Sequence, residues 1–148
     1  MEMTNGQMTL WQAIDSLARQ IPFSKVKVET VLSVRLDEVH RSTYTVFFEG
    51  GPSDLADARR IAKVDLRLGS DPGSLGFLVL NVEGACVGLE QIRARYGSLE
   101  VTDRPRGRSL DEVTSHSVQL SWGELSFSFK VRNPECLASI AFDPRKDR

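Results

Sequence analysis

Near the start of the chain, apolar residues recur at intervals of three and four. Leu10, Ala13, Ile14, Leu17 and Ile21 would share one stripe of a helix. The spacing predicts a helix over residues 8–20, with Thr9 as N-cap and Pro22 closing it. The period then falls to two. Val26, Val28, Thr30, Leu32 and Val34 alternate with Lys25, Lys27, Glu29 and Ser33, broken by Val31, which predicts a half-buried strand over 25–34. Leu36 to Arg41 reads as a turn or a strand edge. Thr43 to Phe48 is β-branched and aromatic, hence a strand, and Gly50-Gly51-Pro52 ends it. Residues 53–59 read as a short helix or a loop. Ile61, Val64, Leu66 and Leu68 face away from Lys63, Asp65 and Arg67 in the next strand. The nearly unbroken apolar run Leu75 to Val82 predicts a strand buried on both faces.

The remaining residues run through a similar order. Val87 to Tyr96 has helical spacing, with Gly97 as its C′ residue. A short strand over 99–102 leads into the polar loop Asp103 to Ser109. A hairpin over 114–131 turns at Ser121-Trp122-Gly123-Glu124, and residues 137–142 form a last strand. The expected fold class is α+β, an antiparallel sheet with two main helices packed on it. The tetrapeptide Leu-Asp-Glu-Val occurs at Leu36 to Val39 and again, half a chain length on, at Leu110 to Val113. That spacing is compatible with a tandem α-β-β-β repeat, with halves 8–82 and 84–142 inside a single domain over 1–148.

Composition narrows the function more than it identifies it. A chain of 148 residues with 41% hydrophobic and 26% charged residues is long enough to bury one sizeable core. The net charge of −1 gives no overall field toward nucleic acid or an anionic membrane. No apolar run is long enough for a membrane-spanning helix. Met1 to Gln7 has neither a basic nor an apolar leader region, so the expected location is cytoplasmic, or periplasmic if a leader has been removed. Cys86 and Cys136 lack metal-ligand spacing. In a reducing cytosol they would be free, packed thiols, and only an oxidising compartment would pair them.

Few residues announce chemistry. His40 and His116 belong to no hydrolase or metalloprotease motif, and the glycines form no phosphate-binding loop. Adjacent carboxylates in Asp37-Glu38 and Asp111-Glu112 would point to opposite faces of a strand and share no proton. The reading therefore names no catalytic residue, metal site or cofactor. The one local charge anomaly is Asp103-Arg104-Pro105-Arg106-Gly107-Arg108. Three arginine forks alternating with Pro and Gly suit carboxylate or phosphate partners, and the first half lacks such a loop. Arg104, Arg106 and Arg108, with Trp122 at the hairpin tip, are the candidate partner-binding residues.

The second half also carries a resemblance. Gly84-Ala85-Cys86-Val87-Gly88-Leu89, Ile92 to Gly97, Pro105 to Glu112 and Asn133-Pro134-Glu135-Cys136-Leu137 look like segments of small bacterial immunity proteins encoded beside secreted antibacterial toxins. The resemblance implies a non-catalytic module that blocks a cognate toxin by covering its active site. A secretion chaperone for one effector fits the same size and element order. An enzyme built from His116, Cys136 or the Asp-Glu pairs is the alternative from another class.

Overall fold

The computed structural model describes residues 8–144. The leader reading of residues 1–7 and the charged tail after 144 lie outside the described residues. Helix α1 (Leu10–Ala18) forms where its periodicity places it. The Thr9 hydroxyl accepts the Gln12 N–H at 3.2 Å and the Gln12 side chain accepts the Thr9 N–H at 2.9 Å, a reciprocal capping box. Leu10, Ala13, Ile14 and Leu17 are its buried face.

The expected strand over 25–34 is instead a second helix, α2 (Lys25–Leu32). The same valines that alternate also satisfy helical spacing, and Val28 and Leu32, four apart, are the buried pair while Val26 is 68% exposed. Local chemistry decides between the two periods. The Ser24 hydroxyl accepts the Lys27 N–H at 3.2 Å, and Ser33 ends the helix in the left-handed region at φ 52°. Glu29 then accepts the Leu36 N–H at 2.8 Å and ties the helix to the following strand. β-branched propensity is a weak preference that capping and burial override. The described residues thus hold three helices; the third, α3 (Leu89–Tyr96), buries only Ile92.

The strands are β1 (Leu36–Arg41), β2 (Thr45–Gly50), β3 (Ser53–Asp54), β4 (Arg59–Gly69), β5 (Phe77–Gly84), β6 (Glu100–Asp103), β7 (Val113–Leu120), β8 (Gly123–Lys130) and β9 (Ser139–Asp143). Residues 53–59, read as a helix or loop, supply β3 and a turn. All nine pair antiparallel in one sheet, ordered β1-β2-β4-β5-β9-β8-β7-β6, with β3 beside β4. The fold is α+β.

Counted inward from either edge, β4 corresponds to β8 and β5 to β9, and β5 pairs directly with β9. The two Leu-Asp-Glu-Val copies do not occupy equivalent places. The first lies on edge strand β1, whereas Leu110 to Glu112 form the turn that enters β7. Aligning on the tetrapeptide slips the comparison by one strand. It also hides that Leu75 to Val82, for which the sequence offered no counterpart, has one in β9.

The helices pack on one face of the sheet. Val64, Leu66, Leu78, Leu80, Leu125, Phe127, Ile140 and Phe142 join the helical residues in one buried cluster. Phe23, between α1 and α2, meets Phe142 edge-on at 5.9 Å, and Tyr96 of α3 meets Phe127 at 5.4 Å. The opposite face carries no helix. Phe77 and Val79 of β5 are half-buried on it, so this strand is fully covered on one face only, against the expectation from its apolar run.

The cysteines also depart from the cytosolic expectation. Cys86 and Cys136 form a disulfide with a Cα–Cα distance of 5.1 Å. It ties the β5–α3 connection to the β8–β9 connection, where the Leu137 N–H also donates to the Val87 carbonyl at 2.8 Å. No helix among the described residues is long and apolar enough to cross a membrane.

Candidate partner-binding surface

The arginine loop bridges β6 to β7, and the second acidic pair holds it. One Glu112 carboxylate oxygen accepts the Arg106 N–H at 3.1 Å and the Arg108 N–H at 3.0 Å. Asp111 pairs with Arg132 at 3.0 Å and with Lys130 at 3.7 Å. The side chains of Arg104, Arg106 and Arg108 are exposed, and none has a carboxylate within ion-pair distance among the described residues. The backbone is anchored while the guanidinium groups stay available. A binding loop ordered before encounter loses less entropy on association.

The same geometry sets the loop's acid response. The Arg108 N–H, above all, holds the Glu112 carboxyl below the usual glutamate range; partial desolvation opposes this, and the Arg106 N–H adds to the lowering. The Arg132 hydrogen bond, then its charge, lowers Asp111 likewise. A carboxyl depressed by folding contributes stability above its unfolded pKa and loses it as pH falls through the folded value. Protection of the Arg106 and Arg108 amides, taken against the intrinsic exchange rate at each pH, is therefore expected to fall several-fold below the ordinary carboxylate range. Glu112→Ala should reproduce that loss of protection at neutral pH, when exchange is followed by NMR. Equal protection in variant and parent would show that Glu112 does not anchor the loop.

Trp122 does not join this surface. The loop sits at the start of β7 and Trp122 beyond its end, roughly 25 Å apart for eight residues at about 3.4 Å each. The indole is half-buried and stacks on Phe142 at 5.9 Å with an interplanar angle of 25°. One ring face thus covers the core. Gly123 permits this turn: its φ is +146°, and a Cβ there would lie 2.6 Å from the Asp143 carbonyl oxygen.

The residues proposed for an enzyme site are not assembled. Cys136 is half of the disulfide and supplies no thiolate. His116 lines a cleft of about 340 Å³ with Thr114, Phe129, Lys130, Val131 and Pro134, among which there is no carboxylate. Burial first, then the charges of Arg93 and Arg104, push its pKa below the ordinary histidine value. In the first acidic pair, Asp37 bonds Arg35 at 3.2 Å and Glu38 bonds Arg41 at 2.8 Å, so each carboxylate has its own cation. No group of three or more His, Cys, Asp or Glu among the described residues could hold a metal ion.

The helix-free sheet face holds a feature the sequence reading missed. Strand register aligns His40, Phe47, Arg67 and Phe77 in one row across β1, β2, β4 and β5. The Arg67 guanidinium carbon sits 5.3 Å from the Phe47 centroid and 5.6 Å from that of Phe77, while His40 lies 5.2 Å from Phe47. The two Arg67 distances are within cation–π range. On the other half of the same face, Ser115 bonds Ser128 at 2.7 Å and Ser117 bonds Ser126 at 2.6 Å, a plain polar ladder. The signal was present in the alternation of Thr45, Phe47 and Glu49 against Val46 and Phe48. It became meaningful only once four strands were in register.

Searches against protein-family models, curated proteins and solved structures find no match to this chain. Its class is defined by its own fold: an α+β protein with helices on one face of a nine-stranded antiparallel sheet and charged and aromatic groups on the other.

Proposed function

We propose that the chain is a non-catalytic protein-binding module, most concretely a bacterial immunity protein that occludes its cognate toxin. The observation that carries this reading is the arginine loop, with its backbone pinned by Glu112 and three exposed guanidinium groups that pair with no carboxylate among the described residues. Arginine is enriched among residues that dominate interface energetics, and its fork matches carboxylates in two-point contacts. An interface of ordinary size, about 800 Å² per partner, would extend from the loop over neighbouring surface. The Cys86–Cys136 pair favours action in an oxidising compartment such as the bacterial periplasm.

The test uses the product of the gene beside this one, expressed alone and together with this chain. On this reading that product arrests growth alone, co-expression restores growth, and the two co-purify at fixed stoichiometry. Arg104→Glu, Arg106→Glu and Arg108→Glu together should weaken the complex at least about tenfold, a loss of roughly 1.4 kcal/mol or more, without moving the thermal midpoint. Unaltered affinity in the triple variant would remove the loop from the interface. Failure to protect cells would remove the immunity reading itself.

A further inference from the structure

The helix-free face is not uniform, and at the Phe77 end of β5 it sinks into a depression of about 430 Å³. Its walls are the rings of Tyr44, Phe47 and Phe77 with the Arg67 guanidinium between them. Two of its lining glycines leave no room for a side chain. A Cβ on Gly69 would meet the Ser74 hydroxyl at 2.9 Å, and Gly76, at φ +86°, would bring one to 3.0 Å from the Phe23 Cβ. Small-molecule and side-chain pockets combine such apolar walls with a few fixed polar groups.

The charges say what the depression would take. Its lining includes one cation and no carboxylate. The nearest acid on the same face, Asp65, approaches an Arg67 terminal nitrogen only to 3.5 Å. That is longer than a charge-assisted hydrogen bond, which runs at about 2.7–2.9 Å. Glu49, the next acid in the row, is taken by Lys63 at 3.1 Å. The Arg67 guanidinium therefore lies between two phenylalanine rings, with Asp65 beside it at ion-pair distance but beyond the range of a charge-assisted hydrogen bond. Tyr44, 78% exposed, stands at the rim, and its ring makes no aromatic contact among the described residues.

We propose that this depression is a recognition site for the C-terminus of a partner protein that ends in an aromatic residue, whose ring and free carboxylate the apolar walls and the Arg67 cation suit. The ring would lie against Tyr44 and Phe77, and the carboxylate would complete the Arg67 fork. The site stands on the far half of the sheet from the arginine loop. It does not depend on the toxin-binding reading.

The probe is N-acetylphenylalanine, titrated into the isotope-labelled full chain and followed by amide NMR shifts. Saturable shifts are expected at Arg67, Gly69, Gly76 and Phe77. N-acetylphenylalaninamide, which lacks the charge, and N-acetylalanine, which lacks the ring, should each bind at least about tenfold more weakly. Arg67→Gln should lose the preference for acid over amide. Tyr44→Ser, an exposed substitution that leaves the core intact, should weaken both phenylalanine probes. The triple arginine-loop variant should bind the acid as the parent does. No saturable shift at these amides, equal affinity for acid and amide, or an unchanged preference in Arg67→Gln would each overturn the proposal.

Discussion

Phe142→Ala is expected to lower the unfolding free energy by about 3–5 kcal/mol, the usual cost of emptying a large aromatic site in a packed core. The residue is fully buried on β9, where the two sequence halves join. Leu78 and Leu125 flank it in register on β5 and β8. Phe23 meets its ring edge-on and Trp122 stacks over it. Truncation would therefore open a cavity that backbone on both sides prevents from collapsing. Urea titration should show a lower midpoint with an unchanged slope, because the surface exposed on unfolding is nearly the same. Phe142→Leu, which keeps most of the volume, should cost less than half as much. A loss below about 1 kcal/mol in the alanine variant would mean that the site relaxes freely, contrary to the packing described.

Replacing Cys86 and Cys136 together by serine is expected to cost about 2–4 kcal/mol. The bond closes a long loop, with a sequence separation of 50 residues, so it removes many open conformations from the unfolded chain. The folded state should survive, since the Leu137–Val87 hydrogen bond and the buried Val87 hold the same connections together. Calorimetry with and without reductant separates the causes. Reductant should lower the parent's midpoint toward that of the double serine variant and leave the variant unmoved. A parent indifferent to reductant would show that the bond contributes nothing to stability.

Legibility in the sequence followed the range of the interactions. Helix α1, strand β4 and the β7–β8 hairpin were readable because their periods and caps lie within a few residues of one another. Helix α2 was misread because Lys25 to Leu32 satisfies both a period of two and a spacing of four. The Ser24 cap and the burial of Val28 and Leu32 decide in favour of the helix. The arginine loop was visible as a composition. That Glu112 holds its backbone was not, since the adjacent carboxylates Asp111 and Glu112 implied only that they would share no proton. The Trp122 hairpin was located correctly, but the stacking partner Phe142 lies twenty residues further on and could not be inferred.

What the chain determined by itself was the α+β class, most strand positions and the places where charge collects, because propensity, alternation and turn chemistry act between near neighbours. Only the tertiary structure decided the strand order, the joining of β5 to β9, the Cys86–Cys136 pair and the row of His40, Phe47, Arg67 and Phe77. Each of these rests on contacts between residues far apart in sequence. Such contacts are chosen by how the whole sheet buries one face, and that choice leaves the row of His40, Phe47, Arg67 and Phe77 on the other.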